Sequence, residues 1–66
     1  WFFDNTDNKW YYLNGDGAMV TGWNKIGGKW YYFTVNKDNK HPYGSLYVDS
    51  ATPDGYTVNT NGEWIQ

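Results

Sequence analysis

The chain has 66 residues, fifteen of them aromatic (five Trp, seven Tyr, three Phe), with eight Gly, no Cys and a formal net charge of −2. The missing cysteines exclude a disulfide framework and thiolate metal sites. The slightly acidic balance, with no basic run, argues against nucleic acid and an anionic membrane surface as partners, and no apolar run approaches the roughly 20 residues of a membrane-spanning helix. Leu, Ile, Val and Phe number only eleven, so Trp and Tyr must supply the burial that aliphatics usually provide.

Trp1 to Leu13 is predicted to form a first hairpin. Asn5-Thr6-Asp7-Asn8 supplies its turn, and Asp4 is expected to face Lys9 across it. Trp1, Phe3, Trp10 and Tyr12 then share one face, because side chains alternate along a strand. Asn14-Gly15-Asp16-Gly17 is a second turn, leading into Ala18 and Met19. The chain then repeats itself. Asn8-Lys9-Trp10-Tyr11-Tyr12-Leu13 recurs twenty residues on as Gly28-Lys29-Trp30-Tyr31-Tyr32-Phe33, each preceded by a further Trp, Trp1 and Trp23 respectively. With Gly27-Gly28 as the turn, Ile26 faces Lys29, Lys25 faces Trp30 and Trp23 faces Tyr32. Trp23, Trp30 and Tyr32 fall on one face; Asn24, Ile26, Tyr31 and Phe33 fall on the other.

Thr34 to Tyr43 is the least regular stretch, and its polar run Asn36-Lys37-Asp38-Asn39-Lys40-His41-Pro42 is predicted to be an exposed loop, with His41 read as a solvated residue. Tyr43-Gly44-Ser45-Leu46 restores the pattern. From Asp49 the repeat decays. Thr52-Pro53-Asp54-Gly55 is a turn, Tyr56-Thr57-Val58 a short strand, and Asn61-Gly62 turns the chain into Glu63-Trp64-Ile65. Aligning Gly62 with Gly17 sets Trp64 where Met19 stood and Thr57 where Tyr12 stood. No stretch has helical periodicity. A period near twenty, built from strand residues and turn glycines, predicts an all-β, solenoid-like array of stacked hairpins. The units are repeat one over 1–22, repeat two over 23–48 with an insertion at 34–42, and a degenerate C-terminal cap over 49–66. Because the chain opens at Trp1, inside a repeat unit, it is expected to be the C-terminal piece of a longer protein.

The string Gly15-Asp16-Gly17-Ala18-Met19-Val20-Thr21-Gly22-Trp23, followed by Gly28-Lys29-Trp30-Tyr31-Tyr32-Phe33, resembles the choline-binding, cell-wall-binding repeat of Gram-positive surface proteins and phage lysins. Residues 1–33 carry the resemblance well, 43–66 look like a degenerate terminal unit, and 34–42 match poorly. The resemblance implies a secreted, cell-wall-associated module that holds choline of teichoic or lipoteichoic acid in aromatic cages between hairpins. Related repeats also occur in glucan-binding regions of glucosyltransferases, which keeps a glucan or glycan ligand as the alternative.

Residue chemistry supports a quaternary ammonium ligand, which donates no strong hydrogen bond and is held by π faces and close apolar contact. The expected first cage is Trp1, Trp10 and Tyr32, with Met19 as a polarisable floor and Trp30 as the alternative third wall. The expected second cage is Trp23 and Trp30 with a wall from the cap, where Thr57 replaces the aromatic and Tyr47 or Tyr56 must substitute. The plainer alternative is that the four tryptophans only form the core between hairpins. Tyr11 and Tyr31, on the opposite face, are read as structural. No catalytic set is expected: His41, Ser45 and Asp49 would align only on a helix, which Pro42 and Gly44 oppose. No cofactor and no metal set is expected either, since one His stands alone and turn chemistry accounts for the acidic residues.

Overall fold

A computed structural model of the chain describes residues 1–65; Gln66, with which the expected cap ends, lies outside the described residues. It contains three antiparallel hairpins: β1 (Phe2–Asp4) with β2 (Lys9–Tyr11), β3 (Gly22–Ile26) with β4 (Lys29–Phe33), and β5 (Ser50–Ala51) with β6 (Thr57–Val58). Among the described residues there is no helix. Asp4 pairs with Lys9, Ile26 with Lys29, Lys25 with Trp30 and Trp23 with Tyr32, the register read from the turns. Positive φ at Asn8, Gly27 and Gly28 makes these reversals possible.

After each hairpin the chain makes the same excursion and returns against its own second strand. Leu13 bridges to Met19, Phe33 to Leu46 and Val58 to Trp64. One residue further on, the N–H groups of Val20, Tyr47 and Ile65 donate to the carbonyls of Tyr12, Tyr32 and Thr57, at 3.0, 2.9 and 2.9 Å. Met19, Leu46 and Trp64 are therefore structurally equivalent, and so are Tyr11, Tyr31 and Tyr56. The hairpins are linked through the same positions. The Leu46 N–H donates to the Trp10 carbonyl at 2.8 Å, and the Trp64 N–H to the Trp30 carbonyl at 2.9 Å. Each unit thus stitches itself to the Trp-bearing strand of the unit before it.

The glycines of the two later return turns are fixed by this stitching, whereas Gly17 in the first faces open space. A Cβ on Gly62 would lie 2.7 Å from Leu46 Cδ2 and 3.0 Å from the Tyr47 carbonyl oxygen, and its φ is +82°. Gly44, with φ +80°, lies in the same way against the side chain of Met19. Gly62→Ala should therefore destabilise the fold by about 2–4 kcal/mol, combining left-handed strain with overpacking against a backbone oxygen. Denaturant midpoints of the two proteins measure this directly.

The core is small. Phe33 and Val58 are fully buried, with Tyr32, Leu46 and Tyr47 around them. Thr34 and Ser45 are buried too and close the base of the inserted loop. The Thr34 N–H donates to the Ser45 carbonyl at 2.9 Å, and the Thr34 hydroxyl reaches the same oxygen at 3.0 Å. Asn36 to Lys40 is exposed, as its polarity predicts. His41 departs from expectation. Its ring stacks on Tyr47 at 4.0 Å with 6° between planes, and its Nδ1 lies 3.0 Å from Asp38 Oδ1. The loop returns over the core, and Tyr47, at the end of that return, offers a flat ring.

Tyr11 donates to Asp7 Oδ2 at 2.6 Å, and burial first, then this carboxylate, pushes its phenol up to about 12. A raised folded value means that the neutral phenol is favoured in the native state. This contribution is complete below the ordinary value of 10.0 and is lost as pH rises toward 12. Tyr31, Tyr32 and Tyr47 shift in the same direction, each mainly through burial. Alkaline titration followed by tyrosinate absorbance should therefore show a late class of tyrosines whose ionisation coincides with unfolding.

Candidate functional site

A hairpin in a stack has two covered faces, one toward each neighbour. Trp23, Lys25, Trp30 and Tyr32 share the face turned toward the C-terminal unit, where Trp23 meets Tyr56 at 5.8 Å. Tyr31 and Phe33 lie on the face turned toward the first hairpin, where Trp1 meets them at 4.9 and 5.8 Å. Each junction therefore takes two tryptophans from the earlier unit, and from the later unit its first Tyr together with its return-strand residue.

Two cavities follow this rule. The first, of about 290 Å³, is lined by Trp23, Trp30, Tyr56 and Trp64. Trp64 stands edge-on to Tyr56 at 5.9 Å and 88°, so the walls meet at steep angles around an open centre. The second, of about 400 Å³, is lined by Trp1, Trp10, Tyr31 and Leu46, with Val48, Thr60 and Asn61 completing it. The tryptophans do not simply fill a core: Trp1, Trp10 and Trp30 remain 50, 44 and 40% exposed. Large rings left wet at a concave junction are the mark of a binding surface.

Several expected site residues change place. Trp1 and Trp10 share a cavity, and so do Trp23 and Trp30. Tyr32 does not join Trp1 and Trp10. It lies on the same strand face as Trp23, 5.2 Å from that ring, and is buried beneath it against Tyr47 and Val58. The wall at the Trp1–Trp10 cavity is Tyr31, one residue earlier and on the face that looks back. Met19 also lies elsewhere, in a third concavity of about 380 Å³ with Phe2, Asp4, Tyr11 and Leu13. The floor position of each cavity belongs to the later unit, so Leu46 and Trp64 take the places expected of Met19. In the second junction the wall from the C-terminal unit is Tyr56, one of the two substitutes expected for Thr57. Trp64 was signalled only by its alignment with Met19.

A carboxylate stands behind the all-aromatic cavity. The Trp23 indole Nε1–H donates to Asp54 Oδ2 at 3.0 Å across 31 residues of sequence, and the Thr52 hydroxyl donates to Asp54 Oδ1. The same Thr52 oxygen accepts the Tyr56 N–H at 3.2 Å. The Thr52 hydroxyl first, then the Trp23 indole, holds the Asp54 carboxyl below its ordinary value of 3.8. A lowered folded value gives a contribution present above the ordinary pKa and lost as pH falls through the lowered one.

Residues 3–41, more than half of the chain, match the choline-binding repeat family, and the chain belongs to that family. The choline-binding domain of Spr1274 from Streptococcus pneumoniae is similar throughout, with a TM-score of 0.74 at 36% identity over 100% of this chain and 91% of that one. Glucosyltransferase-S of Streptococcus mutans is 38% identical over 50 residues, 76% of this chain and 3% of that protein. Glucosyltransferase-I of the same organism is 49% identical over 35 residues, 53% of this chain and 2% of that protein. The chain thus spans only a few per cent of the length of the curated relatives it matches.

Proposed function

We propose that this chain is a non-catalytic attachment module that binds choline of teichoic or lipoteichoic acid at the cell surface, with repeat units over 1–22 and 23–48 and a cap over 49–66. The observation that carries this reading is the cavity walled by Trp23, Trp30, Tyr56 and Trp64. Its lining is entirely aromatic, which suits a trimethylammonium group and gives a sugar few hydrogen-bonding partners. At about 0.5–2 kcal/mol per cation–π contact, a few walls give dissociation constants around the millimolar range, so anchoring requires several cages on one polymer.

One observation favours the second reading, a glucan- or glycan-binding module. The Trp1–Trp10 cavity adds the polar residues Thr60 and Asn61 to its rings. Flat rings with flanking amide and hydroxyl groups suit a hydroxylated ligand. The glucosyltransferase relatives lend this reading support.

NMR titration of the domain separates the two. Choline at tens of millimolar should shift the indole resonances of Trp23, Trp30 and Trp64, whereas a glucan oligomer should move Trp1, Trp10 and the Asn61 amide. If choline moved no indole resonance and the glucan did, the glycan reading would replace the choline one.

A further inference from the structure

We propose that Asp54 is a positioning and specificity residue of the all-aromatic cavity, holding Trp23 and Tyr56 in place while making the cavity prefer a cation to a neutral ligand of the same shape. The inference rests on the choline reading of that cavity and adds a residue outside its lining.

The first half is geometric. Trp23 belongs to β3 and Tyr56 to the C-terminal unit, so no local backbone geometry fixes one wall against the other. Asp54 does so with its two carboxylate oxygens. Oδ2 accepts the Trp23 indole N–H at 3.0 Å; Oδ1 accepts the Thr52 hydroxyl, whose oxygen holds the Tyr56 N–H at 3.2 Å. The Thr52–Tyr56 turn is closed by its own backbone bonds: the Thr52 N–H donates to the Tyr56 carbonyl at 2.7 Å and the Gly55 N–H to the Thr52 carbonyl at 3.0 Å. The carboxylate is thus mounted on a rigid support.

The second half is electrostatic. A carboxylate accepting an indole N–H makes a charge-assisted bond and pushes electron density into the ring, deepening the negative face presented to the cavity. The charge itself also attracts a cation. A neutral ligand gains neither effect. Asp54 is exposed, so the charge acts through the indole and through screened space rather than by direct contact.

The other ionisable groups around Trp23 do not compensate. Lys25 lies on the same strand face and is a cation, and the Tyr32 phenol is raised by burial and then by Asp54 itself. Glu63, the carboxylate of the return strand, accepts from Asn59 Nδ2 at 3.2 Å and pairs with Tyr31 on the far face.

The test compares choline with its neutral carbon isostere, dimethylbutanol, on wild type, Asp54→Asn and Asp54→Ala at low salt. Asn keeps both contacts: its oxygen accepts the indole N–H and its amide donates to the Thr52 oxygen. Asp54→Asn should weaken choline about three- to tenfold while leaving the isostere within about twofold, the difference between a charge-assisted and a neutral bond. Asp54→Ala should weaken both ligands, since the wall is then free to move. Equal losses of choline and isostere in Asp54→Asn, or no loss of either, would overturn the proposal.

A readout without ligand keeps it separate from the choline reading. In wild type the Trp23 indole N–H resonance should titrate in acid with the Asp54 carboxyl; in Asp54→Asn it should not, and Glu63→Gln should leave it unchanged. An indole resonance flat with pH in wild type would remove the contact and the proposal with it. A titrating indole in a protein that ignores choline would instead sink the choline reading, and with it the specificity half, leaving the latch as a structural bond.

Discussion

Phe33→Ala should leave no folded domain at room temperature. Phe33 is fully buried, ends β4, and pairs with both Gly22 and Leu46, so its ring lies where the second hairpin, its return strand and the first hairpin meet. Truncating a buried Phe costs about 3–5 kcal/mol when the cavity cannot collapse. Here Trp1 is 5.8 Å away and its ring is committed to the neighbouring cavity, so little can move in. A domain of this size has roughly 3–10 kcal/mol of total stability. The loss is of the same order as everything available. Near-UV circular dichroism should lose its aromatic signal, and the thermal transition should flatten. Phe33→Leu, which keeps most of the volume, should retain a cooperative transition at lower temperature.

The second large effect concerns ligand. Trp30→Leu should weaken choline binding by roughly 2- to 30-fold, the range spanned by loss of one cation–π wall. Trp30 is the cleaner position because its ring is 40% exposed and its cross-strand partner is Lys25, so leucine keeps apolar cover without opening the core. The unfolding midpoint should move little. Trp10→Leu, the equivalent change at the Trp1–Trp10 cavity, should have the smaller effect on choline, because that junction offers Leu46 and polar Thr60 and Asn61 where the other offers Trp64. If Trp10→Leu abolished choline binding and Trp30→Leu left it intact, the ligand would belong at the first junction.

Most of this arrangement is legible in the residues, and its one consistent error has a single cause. The turn residues set the hairpin registers, Asn5-Thr6-Asp7-Asn8 in the first and Gly27-Gly28 in the second, and the twenty-residue recurrence of Lys-Trp-Tyr-Tyr marked β2 and β4 as equivalent strands. Strand parity put Trp23 and Tyr32 on one face, as observed. Parity also says that Tyr32 cannot reach back to Trp1. A stacked hairpin shows its neighbours opposite faces, so the wall from the later unit must come from the other parity, which is Tyr31. Met19 was displaced for the same reason: a return-strand residue closes the junction before its own unit, so Leu46 and Trp64 are the ones that close these two. Other features lay beyond the pattern. The bond from Trp23 to Asp54 spans 31 residues and depends on how the terminal turn folds over β3. His41 stacks on Tyr47 because of where the loop lands, and no periodicity records that.

The buried pair Thr34 and Ser45 gives the second unit a property its neighbours lack. These two residues pinch the chain together with backbone and hydroxyl bonds, so everything between them is a loop whose ends are already joined. The entropy of closing such a loop grows only with the logarithm of its length, about 0.6 kcal/mol for each doubling. Residues 36–40 touch neither aromatic cavity. The hairpin array can therefore carry cargo at this point, a peptide tag or a small folded domain with adjacent termini, without changing the spacing of its units. Asn36 and Lys37 are the place for it, since the far arm of the loop is tied down by the stack of His41 on Tyr47.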